Sequence, residues 1–204
     1  MSEFRRRLLM QQESDPNAIL PAGCVRCEYL ESTGTQWIDT EYTPTRGDEL
    51  KIDRYKVVKK TLNPTIFGAG YETPQFVVVQ TETTLYIRYF TDSGTPVDGI
   101  SDLQQHSLLI KKNGDTYVDG QFCTTSIPLY NDVNTTLALF NRGNRTAKII
   151  GYIGTVTITR DNVRVVHLIP CLDANATPCY YDVVNKKFHY NKGTGEFLYK
   201  ILEQ

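Results

Sequence analysis

The sequence predicts an all-β fold, an antiparallel two-sheet sandwich, and three observations carry that prediction. Strand formers dominate the composition, with thirteen Tyr and many Thr and Val against only two Met. Short apolar stretches alternate with polar residues at period two, while helical periodicity is nearly absent after residue 24. Turn signals recur about every 8–15 residues, the rhythm of short strands stacked in two sheets. The 204 residues suit one domain with a substantial core, or at most two small ones.

The elements follow in order. EYLESTGTQWIDT (28–40) reads as a hairpin with Leu30 and Ile38 inward and Tyr29, Trp37 and Asp39 on the opposite face. Tyr29 and Trp37 could then form an aromatic pair. Trp37, the only tryptophan, is either packed under a cover or a platform for a ligand. FVVVQ (76–80) and TLYIRYF (84–90) are strands across a TET turn. In the second, alternation puts Leu85, Ile87 and Tyr89 on one face; Tyr86 and Arg88 face the other way, with Phe90 completing that stripe. HSLLIKKNGDTYVDG (106–120) is the clearest hairpin, with Asn113-Gly114 suited to a tight primed turn and Asp119-Gly120 ending the second arm. TTLALF (135–140) and KIIGYIGTVTIT (148–159) follow, and a turn at Arg160-Asp161-Asn162 leads into VRVVHLIP (163–170). Two short strands around KKFHY and EFLYKI close the chain.

Residues 1–23 differ from this pattern and form a separate arm ahead of a sandwich spanning 24–204. Phe4 and Leu8 could share one face of a short helix beside the basic run Arg5, Arg6 and Arg7. The arm is read either as a frayed tail or as a docking segment that folds on a partner.

The formal net charge of −1 argues against a general nucleic-acid binder. No apolar run approaches the roughly 18 residues of a spanning helix, so no membrane insertion is expected. The apolar run after the arginines is too short for a secretory signal. Five cysteines cannot all pair within one chain, which favours reduced thiols.

Three stretches carry a family resemblance. EYLESTGTQWIDT is similar to the opening hairpin, and KKNGDTYVDG to the central hairpin, of concanavalin A-like, laminin-G-like jelly rolls found in phages and gut bacteria. Residues 147–200, with their Ile-Pro strand end, Tyr-Asp turn and Asn-x-Gly-Thr-Gly loop, resemble the closing module of that family. The resemblance spans roughly residues 26 to 200. It implies a jelly-roll sandwich with one concave face, in a family whose members mostly bind carbohydrate or protein and are often encoded among phage structural genes. FRRRLLMQ also resembles the start of such phage proteins.

Catalytic chemistry finds little support. Glycan hydrolysis on this fold needs carboxylates sharing a strand face, yet Lys51 separates Glu49 from Asp53, and Asp39 and Glu41 lack a third partner. His106 beside Ser107 makes no nucleophile–base pair that spacing can defend. Cys24 and Cys27 have the spacing of a zinc half-site, but Cys171 and Cys179 are too widely separated to complete it. Cys171 and Cys179 could instead meet on paired strands. No metal or cofactor is expected.

The chain is therefore expected to be a non-enzymatic binding module, with Trp37, Tyr86, Arg88, Asn141 and Arg142 as candidate ligand residues. Aromatic rings pack on sugar faces, and amide and Arg groups bond hydroxyls; the loop FNRGNRT also supplies Asn144 and Arg145. Expected partners are a bacterial-surface glycan or protein and other virion subunits, with Phe4, Arg5, Arg6, Arg7 and Leu8 docking the arm. A homo-oligomer is compatible with this. The expected setting is a phage fibre, tail or capsid surface, made in the bacterial cytoplasm. The alternatives are a purely structural virion protein and a glycan hydrolase.

Overall fold

Alternating side chains bury one face of most strands, and two such faces close on one another. The computed structural model describes residues 19–59, 64–70, 72, 74–81, 84–100, 103–142 and 149–203, and every regular element among them is a strand. The strands form two sheets in which every pairing between neighbours among the described residues runs antiparallel. The arm residues Phe4 to Leu8, and Asn144 and Arg145, lie outside the described residues.

The chain crosses repeatedly between the sheets. β1 (Val25–Thr33) lies in sheet A, β2 (Ile38–Asp39) in sheet B, and β3 (Asp48–Lys59) in sheet A again. Sheet B then takes β4 (Thr65–Ala69), β5 (Gln75–Gln80), β6 (Thr84–Thr91) and β7 (Thr95–Asp98). Sheet A takes β8 (His106–Ile110), β9 (Asp115–Val118) and β10 (Gln121–Thr125), and β11 (Ala138–Leu139) returns to sheet B. The last six strands belong to sheet A: β12 (Ile150–Ile153), β13 (Val156–Arg160), β14 (Val163–Leu172), β15 (Pro178–Asp182), β16 (Lys187–His189) and β17 (Leu198–Ile201). Sheet B runs in the order β2-β11-β4-β5-β6-β7. This is the expected two-sheet sandwich, with crossings of the jelly-roll kind.

The core lies between the inner faces. Leu30, Leu50, Ile52, Tyr55, Ile153, Val156 and Ile158 from sheet A meet Ile66, Phe67, Phe76, Val78, Leu85, Ile87 and Tyr89 from sheet B, all buried. Each such side chain contributes about 1.5–3 kcal/mol of burial. Leu30 and Ile38 are inward as expected.

Four local expectations change. Residues 28–40 are not one hairpin: β1 pairs with β12, β14 and β17, while β2 pairs with β11 in the other sheet. Buried Gln36 turns the corner, accepting from Thr33 N at 2.9 Å and donating through Nε2 to Glu196 O at 2.9 Å. Tyr29 and Trp37 therefore do not pair; Tyr29 stacks on Tyr152 with centroids 4.1 Å apart.

Phe90 does not join the outward stripe. Its φ of +52° reverses the strand's phase, and its ring is buried against Phe76 and Tyr89. The primed turn also moves. Gly114 alone has positive φ in the Asn113-Gly114 turn, where Gly114 N donates to Lys111 O and Lys111 N to Asp115 O, leaving a three-residue loop. The two-residue primed turn is Asp119-Gly120, with φ of +51° and +77° between paired Val118 and Gln121. The turn at Asp161 and Asn162 is of the same kind, with both φ positive between paired Arg160 and Val163.

Candidate functional site

The outer face of sheet B gathers most of the candidate ligand residues that are described. Leu85, Ile87 and Tyr89 point into the core, so Tyr86 and Arg88 point away from it, as alternation requires. Register carries a row across the sheet on that face: Asp39, Ala138, Gly68, Val77 and Arg88 are successive partners. Its middle residues are small, and Gly68 has no Cβ for a reason. A Cβ there would sit 3.0 Å from Arg142 Cγ, so the aliphatic stem of Arg142 occupies the space above the glycine. Arg142 Nε donates to Gly70 O, which fixes the guanidinium beside β4.

Arg88 is the less satisfied of the two arginines. It is half-buried, its Nε is shielded from solvent, and no hydrogen bond or ion pair reaches its guanidinium among the described residues. Gln75 shares the outer face of β5 with Val77 and presents a second buried polar atom without a partner, Oε1. Buried polar atoms nearly always find partners, so such a donor and acceptor on one face call for a water or a ligand. Tyr86 lies two residues from Arg88 on the same side, with its ring against Gly94; a Cβ there would come within 3.1 Å of Tyr86 Cδ1.

The other two candidates sit differently. Asn141 is fully buried, and its Oδ1 accepts from Arg142 N at 2.7 Å, so it shapes the loop that delivers Arg142. Trp37 precedes β2, four strands from β6, or about 19 Å across a sheet at the usual strand spacing. Its half-buried ring packs against the core. Its backbone is held by the late Asn-Lys-Gly-Thr-Gly loop, with Asn191 Oδ1 accepting from Trp37 N and Trp37 O accepting from Lys192 N. Gly193 is obligatory there, since a Cβ would lie 1.9 Å from Thr35 O.

Three of the four carboxylates considered for hydrolysis, Asp53, Asp39 and Glu41, have internal partners. Asp53 Oδ1 accepts from Thr155 N at 2.6 Å, and its Oδ2 lies 3.6 Å from Arg54 Nε. Asp39 Oδ1 accepts from Glu41 N, and Glu41 is ion-paired with Lys187. His106, Ser107 and Asp119 do meet, but Ser107 Oγ donates to Asp119 rather than to the imidazole, so the nucleophile–imidazole order of a catalytic triad is not formed. Among the described residues no group of three or more His, Cys, Asp or Glu could hold a metal ion. Cys171 and Cys179 face each other across β14 and β15 with sulfurs 3.7 Å apart, and all five cysteines are free thiols. Burial pushes the Cys27 thiol up to about 12, which keeps it protonated and unreactive.

No protein-family model matches the chain, and no curated protein matches its sequence. The chain is similar in fold to the crystal structure of a "putative carbohydrate binding protein" from Bacteroides ovatus, with a TM-score of 0.64 at 10% identity. The match covers 88% of this chain and 61% of that one. An identity this low shows a shared β-sandwich fold.

Proposed function

We propose that the protein is a non-catalytic binding module that holds glycan on the outer face of sheet B. One observation carries this reading: Arg88 is a half-buried cation with no partner among the described residues, on the same face as Tyr86, Arg142 and Gln75 Oε1, which likewise lacks one there. A planar donor fork, an amide acceptor and an aromatic ring are the groups that recognise hydroxyls and carboxylates. The fold shared with a protein named for carbohydrate binding supports the same reading. In this proposal the module belongs to a phage particle, residues 1–23 attach it to another subunit, and a bacterial-surface glycan is the ligand.

A glycan array carrying bacterial surface polysaccharides tests it. At least one glycan is expected to bind, and Arg88→Ala to weaken that binding by about tenfold or more, the effect of losing charge-assisted hydrogen bonds. No binding at high protein concentration would remove the glycan reading, and turnover of any polysaccharide would overturn the non-catalytic one. A specific feature favours assembly as the second reading. The strand β17 pairs with β1 alone among the described strands and exposes Leu198, Tyr199 and Ile201, an edge suited to another chain.

A further inference from the structure

A second polar recess lies away from the Arg88 face, where the segment after β2 meets the end of β15 and the strand β16. Thr40, Glu41 and Tyr42 form one wall, and Asp182, Asn185, Lys187 and His189 the other, around a cleft of about 220 Å³. The Glu41–Lys187 ion pair joins the two walls.

His189 is the unusual member. Its side chain is only 4% exposed, and Nδ1 lies 3.1 Å from Asp39 O. A carbonyl oxygen can only accept, so Nδ1 carries the proton. Burial lowers the pKa of His189, which keeps the ring neutral and leaves a lone pair on Nε2. That Nε2 is buried and has no hydrogen-bond partner among the described residues. The other polar groups lining the cleft are largely engaged. Thr40 Oγ1 donates to Leu137 O, Tyr42 OH donates to Asp48, and Asn185 Nδ2 donates to Asp182 Oδ2. Asp182 Oδ1 accepts from the backbone N–H groups of His167 and Val184. A guest meets, among other groups, the His189 Nε2 lone pair and an ion pair between half-exposed chains, a weak contact that opens readily.

We propose that this cleft holds a single neutral sugar unit, with His189 Nε2 accepting a hydrogen bond from a ring hydroxyl and Glu41 and Lys187 parting to bond neighbouring hydroxyls. An anion would face the Glu41 and Asp182 carboxylates, and an organic cation would face Lys187. For a metal ion, no group of three or more His, Cys, Asp or Glu among the described residues could serve. The volume lies below the roughly 300–1,000 Å³ of drug-sized pockets, consistent with one ring rather than an extended chain. The inference rests on the carbohydrate-binding reading but names a site separate from Arg88.

The test is a titration of the ¹⁵N-labelled full chain with the methyl glycosides of glucose, galactose, mannose and N-acetylglucosamine, followed through two-bond imidazole correlations. The free protein should show His189 as the Nδ1–H form, and at least one glycoside should shift the Nε2 resonance. His189→Asn keeps a donor toward Asp39 O and removes Nε2; it should weaken that glycoside about five- to tenfold, the loss of one hydrogen bond. If no glycoside moves Nε2, or if His189→Asn binds as tightly as the parent, the cleft is not a sugar site. Glycoside binding with a silent His189 would discard the cleft and leave the outer-face reading standing. The array and the Arg88→Ala variant judge that reading separately.

Discussion

Asp48 is fully buried and carries a charge, a combination that persists only with full compensation. Its Oδ2 accepts from Tyr42 OH and from Thr45 N, both at 2.7 Å, and its Oδ1 from Arg160 Nε at 2.9 Å. Arg160 also reaches Tyr42 OH at 2.6 Å, closing a triangle between β13 and the start of β3. Burial, then the neighbouring carboxylate, pushes the Tyr42 hydroxyl well above its usual range, so it stays a donor to Asp48. Asp48→Ala should destabilise by about 2–3 kcal/mol in urea unfolding. That is below the about 3–5 kcal/mol for breaking a fully buried pair, because Arg160 is 39% exposed and can rehydrate. The residue scale also shows why Phe90 escaped strand periodicity. Leu129 N and Tyr130 N both donate to Phe90 O, a clasp about forty positions downstream that holds the backbone in the left-handed region. Alternation read from TLYIRYF alone contains no trace of that clasp.

Turns show how far a local signal reaches at the scale of the element. Asn113-Gly114 and Asp119-Gly120 look alike on paper, yet they make different turns because Asn113 spends its side chain on Asp115, accepting from Asp115 N at 3.1 Å. The two glycines should differ sharply on substitution. Gly120, at φ +77°, has open space beside it, so Gly120→Ala should cost about 1 kcal/mol, the conformational term alone. At Gly114 a Cβ would lie 2.0 Å from Ser126 O, on top of the same conformational term. Gly114→Ala should therefore lose at least about 2 kcal/mol more than Gly120→Ala, because backbone must move. Urea midpoints for the two variants decide it, and equal losses would refute the contact argument.

Over the whole molecule, one half-buried and one buried histidine couple stability to acid. Burial, with Arg164 and Arg26 nearby, lowers the pKa of His167 to about 4 from a usual 6.5, and burial lowers that of His189 as well. Both are favoured neutral in the folded state. Their stabilisation is complete above the unfolded value near 6.5 and is lost as pH falls from there toward 4 for His167, because only the unfolded chain binds the proton in that window. The urea midpoint should fall steadily from pH 7 to pH 4.5, and His167→Gln should flatten part of that slope. A slope unchanged in His167→Gln would remove His167 from the account.

The all-β class, the inward phase of Leu30, Ile38, Leu85, Ile87 and Tyr89, and the outward phase of Tyr86 and Arg88 were legible from the residues alone. Those follow from side-chain alternation, which each strand carries within a few residues. Which sheet a strand joins emerges only from long-range contacts. Gln36 sends β1 and β2 into different sheets through a hydrogen bond to Glu196, 160 positions away. Long sequence separations also lie between the parts of both sites, 72 positions for Arg142 and Gly70 and 150 for His189 and Asp39. Arg142 meets Gly68 and Gly70 across sheet B, and His189 meets Asp39 through contacts between remote segments. Partnering between strands depends on register and crossing, which no period in a single segment encodes.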